Sequence, residues 1–386
     1  MPDGTATPQR IIRTIVTWPA RRPRSMRRAE RVSRSERGVP TRRTRIEGMD
    51  LARGIALLAM MAADVFDQVD DKPPPGALAQ TVRSDAAAAF VVVAGISLAL
   101  SFGGDQPLHG RGRTVIRAVI AVQAVLIVVI GLVLGFSNHT TVILTSYGLL
   151  CLLTIPLLGC RPNLLARIAA LVMVIAPLIA TATLDSGAAG SEGNLTFTSL
   201  IVGPSGWITG LFVTGSYPVL SYLAFIIAGM AIGRLDLSSV QAVARLFVGG
   251  LALVVVGLVC RLALPPDPPV WHSFVHNLES LGSGVGLVGV VLLLVRIPAM
   301  TCLLRPITAA GTMALTLYSG YVLILATGVL ENMRVEQYLV LLVGALLFAV
   351  SWRRFVGEGP LETLVLELTH CVRRVLVTQN RPNRME

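Results

Sequence analysis

Lysine is almost missing from this sequence: Lys72 is the only one in 386 residues, so its positive charge is arginine. Charged residues of all kinds make up 14%, and aromatic residues 5%. A soluble domain with one core needs a far more charged surface, and the 53% hydrophobic content with a mean hydropathy of +0.70 excludes it. Cysteine and histidine are also scarce, at five each. They do not recur at zinc-ligand spacings, so no metal site is expected. No Gly-rich phosphate loop is found, and the two halves show no convincing repeat of the kind common in transporters. Residues 11–19 are too short and interrupted for a signal-peptide core.

What is present is a series of apolar stretches, each near bilayer-crossing length. They predict an all-α, polytopic membrane bundle of about ten spans. The expected spans are 49–66, 84–102, 114–136, 140–159, 163–184, 214–233, 240–264, 277–295, 308–330 and 336–355. Arginines fall in every second connection (Arg111 and Arg113, Arg161 and Arg167, Arg234 and Arg245, Arg296 and Arg305). The remaining connections are acidic or nearly uncharged. By the positive-inside rule both termini are then cytoplasmic in a multi-pass cell-membrane protein. In that topology no cysteine lies in an outward loop, so a disulfide framework is not expected.

Three regions follow. Residues 1–44 carry Arg, Ser and Pro in excess, with thirteen arginines against four acids before Gly48. They read as a disordered cytoplasmic tail held to anionic headgroups, not as a nucleic-acid binder. Residues 45–355 form the membrane domain. Residues 356–386 hold an amphipathic surface helix, with Pro360 at its first position and Leu361, Leu364, Val365, Leu368, Val372 and Val375 at three- and four-residue steps. Met26 and Met49 are alternative translation starts. The loop 262–277 contains four prolines, which argue against helix there. Asn194-Leu195-Thr196 matches a glycosylation sequon, a triplet that often arises by chance.

The first span carries an acid. Asp64 lies roughly 16 Å along the helix from Arg53, inside the hydrocarbon or near its far edge. It is either a functional acid or a helix-exit marker, since Asp67, Asp70 and Asp71 follow.

Four stretches resemble the YeiB-like and heparan-alpha-glucosaminide N-acetyltransferase-like families of bacterial membrane proteins. They are RIEGMDLARGIALLAMMA, RSDAAAAFVVVAGISLAL, GSYPVLSYLAFIIAGMAIGRLDL, and GTMALTLYSGYVLIL followed by GEGPLETLVLELT. The resemblance implies a multi-helix acyltransferase-like fold. It further implies transfer of an acyl group from cytoplasmic acyl-CoA, a co-substrate and not a tightly bound cofactor, to an envelope glycan or glycolipid acceptor. The sequence departs from the pattern at two telling positions. Asp64 stands where many relatives end the first span in histidine, and Tyr321 where the Leu-Tyr span often carries one. Thr363 replaces a tryptophan after Gly-Pro-Leu-Glu.

Acyl transfer requires a base and a donor for the developing oxyanion. Asp64 and Asp85 are expected near each other at the outer ends of the first two spans, with Arg83 neutralising Asp85. His272 is a third catalytic candidate and the readiest base at neutral pH. Asp50 and Arg53, three residues apart at an inner helix start, form either a local ion pair or a seat for a coenzyme A phosphate. Tyr217, His276, Tyr318 and Tyr321 are candidates for substrate binding, or else for helix-to-helix hydrogen bonds. Two further readings remain open: a transporter or lipid-handling protein, and a degenerate relative acting as a scaffold.

Overall fold

The computed structural model describes residues 42–66, 75–102, 111–137, 140–187, 193–194, 196, 204–263, 269–329 and 333–378. The tail through residue 41, the acidic run 67–71 and His139 lie outside these residues. The described chain is helical. In order it forms α1 (Arg42–Phe66), α2 (Pro75–Ser101), α3 (Arg111–Leu134) and α4 (Leu144–Thr154), the last continued by a 3-10 turn, Ile155–Gly159. Then come α5 (Pro162–Asp185), α6 (Pro204–Thr209) with a π-helical turn Gly210–Thr214, α7 (Val219–Gly233), α8 (Val240–Ala263) and α9 (Pro269–Leu294). The last five are α10 (Pro298–Leu303), α11 (Arg305–Thr312), α12 (Ala314–Ala326), α13 (Arg334–Phe355) and α14 (Pro360–Thr378).

Two hydrogen bonds fix how the central pair runs. Arg53 donates to Ser97 Oγ at 3.1 Å, and Arg83 donates to Asp64 at 3.0 Å. α1 and α2 are therefore antiparallel, and the bundle has an Arg53 end and an Asp64 end. Both helices are central: Leu57, Met60, Val65, Ala87, Val91 and Ile96 are all at most 1% exposed. Glycines bring backbones together here. A Cβ on Gly95 would run into the Ile226 carbonyl, and one on Gly229 into that of Val92, so α2 and α7 pack at a distance only glycine permits. Gly250 and Gly282 do the same for α8 and α9.

Among the described residues, six helices (α2, α3, α5, α8, α9 and α13) are long and apolar enough to cross a membrane. The number rises to eight if each of two bent pairs counts as one span. The pairs are α6 with its π turn and α7, bent by 42°, and α11 with α12, bent by 86°. Six to eight of the expected spans of about ten are thus shown among the described residues. The expected 140–159 span is the short α4 with its 3-10 turn, and the expected 308–330 span is broken at Met313. On α8 and α13, Val248, Val255, Val259, Val340, Val343 and Leu347 are exposed. A girdle of bare aliphatic side chains suits a hydrocarbon solvent.

The 86° break in α11–α12 has a specific support. Glu362, on α14, accepts hydrogen bonds from the backbone N–H groups of Leu315 (2.8 Å) and Thr316 (3.1 Å) and from the Thr316 hydroxyl. The Glu of Gly-Pro-Leu-Glu thus caps α12, supplying acceptors to otherwise unpaired N–H groups at a positive helix end. The predicted amphipathic helix is α14, with Val365 buried and Leu364 and Leu368 exposed. One expectation is corrected: α9 starts at Pro269, within the loop read as non-helical. A proline at a helix start gives up an N–H that had no partner anyway.

Candidate functional site

At the Asp64 end the chain gathers polar groups from α1, α2, α9, α12 and the stretches between helices. Asp64 is 1% exposed. It pairs with Arg83 of α2 and accepts a hydrogen bond from Tyr321 Oη of α12 at 2.9 Å. The two positions where the resemblance expects histidines are therefore in direct contact across 257 residues of chain. Here they form an acid–phenol pair closed by an arginine. Tyr318, one turn before, stacks edge-on against Tyr321 with ring centres 5.1 Å apart and accepts a bond from the Ile143 N–H at 3.1 Å. Tyr217 is buried beside them, its ring edge-on to Tyr222 at 5.9 Å.

Asp85 has different partners. It accepts from Ser280 Oγ at 2.7 Å and lies close enough to His276 for their charges to interact. The two acids expected to work together are thus held by separate groups, and Arg83 is paired with Asp64 instead of neutralising Asp85. The reason is helical geometry: Arg83 and Asp85 are two residues apart on α2, so they point to different faces.

Beside both acids lies a cavity of about 560 Å³. Tyr217, Tyr222, His276, Asn277, Ser280 and Asn194 are among its walls. His276 lines it; His272, one turn nearer the start of α9, is exposed and does not. Asp64, Tyr318 and Tyr321 stand behind the wall. Asn194, the sequon residue, is committed to structure. Its side chain accepts from the Val142 N–H at 2.8 Å and donates to the carbonyls of Ser137 and Thr140, both at 2.6 Å. That amide ties residue 194, a cavity-lining residue, to the 137–142 stretch. Glu279, a conceivable partner for a histidine, is instead ion-paired with Arg261.

At the opposite end Asp50 and Arg53 form an ion pair at 3.5 Å, with side chains 18% and 24% exposed. Arg53 also reaches Ser97. Arg234, of the Gly-Arg-Leu-Asp stretch, is buried, donates to the Leu158 carbonyl and lies 5.9 Å from the centre of the Phe102 ring. It closes the 3-10 turn after α4. Among the described residues no cluster of three or more His, Cys, Asp or Glu could hold a metal ion.

Sequence reasoning passed over Ser280 and Asn277, and read Asn194 only as part of a sequon. Ser280 borders the Gly282–Gly286 stripe, which reads as helix packing. Nothing local marks a serine as the partner of an acid 195 residues away.

Residues 45–264 match the family described as heparan-alpha-glucosaminide N-acetyltransferase, catalytic. This chain belongs to that family. Residues 235–372 match a second, described as a protein of unknown function (DUF418). A search of curated proteins finds no match. The first match spans α1, α2 and α7, hence Asp64, Arg83, Asp85 and Tyr217; the second spans α9, α12 and Glu362. The protein is an acyltransferase-like membrane protein with a site assembled from both segments.

Proposed function

We propose that this protein transfers an acyl group from acyl-CoA on the cytoplasmic side to a hydroxyl or amine of an envelope glycan or glycolipid. The Arg53 end then faces the cytoplasm, with both termini, in agreement with the arginine-rich connections 111–113, 161–167, 234–245 and 296–305. Residues 1–44 are a surface-held tail, 45–355 the transferase domain with about ten membrane passes, bent and short ones included, and 356–386 a cytoplasmic surface helix and tail. Arg53, ion-paired with Asp50 and about a quarter exposed, receives a coenzyme A phosphate.

The observation that carries the reading is the polar cavity of about 560 Å³ with His276 on its wall and Asp85 beside it, in a chain of this family. His276 takes the acceptor's proton as its oxygen or nitrogen bonds to the thioester carbonyl carbon. The carbon–sulfur bond breaks, and the imidazolium returns the proton to the departing thiolate, leaving acylated acceptor and free thiol. Asp85 stabilises the imidazolium. Tyr217 and Asn277 hydrogen-bond the acceptor. Asp64, wholly buried and ion-paired, is a positioning residue: with Arg83, Tyr318 and Tyr321 it backs the wall that Tyr217 forms. His272 lies at the cavity's approach.

The test follows free thiol released from a panel of acyl-CoA thioesters by the full chain in nanodiscs supplied with envelope lipid extract. Wild type releases thiol, Arg53→Ala needs more thioester for the same rate, and His276→Ala loses turnover while still binding thioester. No release with any thioester would refute the transfer reading and favour the transporter reading. Full turnover in His276→Ala would move the base elsewhere.

A further inference from the structure

The acceptor's chemical class follows from a second cavity. An apolar groove of about 510 Å³ lies between α5, α7 and α9. Alanines open it on two walls: Ala166, Ala169 and Ala170 on α5, Ala228 and Ala231 on α7. It adjoins the polar cavity along two helices. On α7 the polar cavity takes Tyr222 and Phe225, and the groove begins one turn further at Ala228. On α9 the polar cavity takes His276, Asn277 and Ser280, and the groove takes Phe274, Leu278 and Leu281 on the neighbouring face. Asn277 lies between these faces and donates to Ser221 Oγ of α7 at 3.4 Å, a long bond across the gap where the two spaces approach.

The two linings are chemically opposite. Among the described residues of the polar cavity there is no Lys, Arg, Asp or Glu; hydroxyls, amides, tyrosines and His276 line it. That set suits an uncharged polyhydroxyl group and lacks the cation that a phosphate head would require. The groove is lined almost wholly by apolar side chains. From Pro162 to Val174 it runs twelve residues of α5, roughly 18 Å. That exceeds one leaflet of the hydrocarbon core, about 15 Å.

We infer that the acceptor is an uncharged glycolipid, its sugar head in the polar cavity beside His276 and one hydrocarbon chain in the α5–α7–α9 groove. This rests on the transfer reading for what happens to the head, but not for the binding itself. The chain fixes the head at the membrane surface and confines its hydroxyls near the base, an orientation effect that a free sugar would lack.

The probe is a glucosyl-diacylglycerol with a diazirine in one acyl chain, in phosphatidylcholine nanodiscs holding the full chain. A diazirine phosphatidylcholine of equal chain length is the control. The glucosyl probe is expected to label peptides 162–174 and 274–281 at least about fivefold more than the control does. Ala231→Phe, which fills the groove, abolishes that excess. Ala170→Phe does so from the opposite wall, should the first variant not fold. Even labelling over α8 and α13, or equal labelling by the control, identifies ordinary surrounding lipid and overturns the inference. A crosslink joining two copies of the chain through the groove also overturns it. Thiol release separates this inference from the transfer reading. Release with glucosyl-diacylglycerol but not with methyl glucoside supports both. Equal release with both acceptors leaves transfer standing and overturns the glycolipid. Labelling without release upholds glycolipid binding and overturns transfer.

Discussion

Replacing Arg83 by methionine keeps an unbranched apolar stem but removes the cation facing Asp64. Asp64 is 1% exposed, and the Arg83 side chain 11%. The carboxylate would keep the Tyr321 hydroxyl at 2.9 Å but lose its counter-charge, in a place where water cannot substitute. Breaking a buried pair by removing one partner costs about 3–5 kcal/mol. Asp64→Asn removes the carboxylate facing Arg83 and should cost somewhat less, because the guanidinium is nearer the surface. The double variant Asp64→Asn/Arg83→Met has no charge to strand. Its loss should fall short of the sum of the single losses by about 2 kcal/mol or more. At on the order of 2 °C per kcal/mol for a chain this large, Arg83→Met should melt roughly 6–10 °C below wild type. A thiol-reactive fluorophore gives the readout. Cys302 and Cys371 are exposed and label at once, whereas the buried Cys151 labels only on unfolding. Strict additivity, or an Arg83→Met variant that melts with wild type, would refute the pairing and remove Asp64 as the organiser of this end.

Other consequences are equally open to measurement. Tyr321→Phe deletes one hydrogen bond to a carboxylate and should cost about 1.5–3 kcal/mol in the same melt, with Arg83 still in place. Glu362→Ala uncaps α12 and should cost about 1–2 kcal/mol. It should also expose α14 to limited proteolysis, and a digestion rate equal to wild type would argue against the cap. Gly95→Val drives a branched side chain into the Ile226 carbonyl. Its yield of folded, monodisperse protein on gel filtration should collapse, while Gly249→Val, with open space around its Cβ, should behave as wild type. Asn194→Ala removes three hydrogen bonds to the 137–142 stretch and should speed protease cleavage near residue 194.

Hydropathy and arginine spacing suffice to identify a helical membrane bundle, because lipid demands long apolar helices wherever the chain crosses. Four short stretches suffice to identify the family. The same pattern could not show that the 308–330 stretch is two helices bent by 86°, because Glu362 holds the break from another part of the chain. Nor could it show that α9 starts early, since a proline run is equally consistent with a loop. Asp64 was recognisable as unusual from its position alone: an acid so far into an apolar run is costly. Its partners were not. Arg83 lies two residues from Asp85, and the local sequence favours that pair, whereas folding turns the two to different faces and brings Tyr321 in from 257 residues away. That His276 and not His272 reaches the cavity wall has the same origin. Both are histidines near the start of one helix, and only the packing of α9 against α2 and α7 puts one on the cavity wall and the other outside. Residue type and periodicity determined the solvent, the helices and the family. Which polar groups meet was decided by the antiparallel packing of helices distant in sequence, since a hydrogen bond depends on an ångström-scale approach that one-dimensional spacing does not encode.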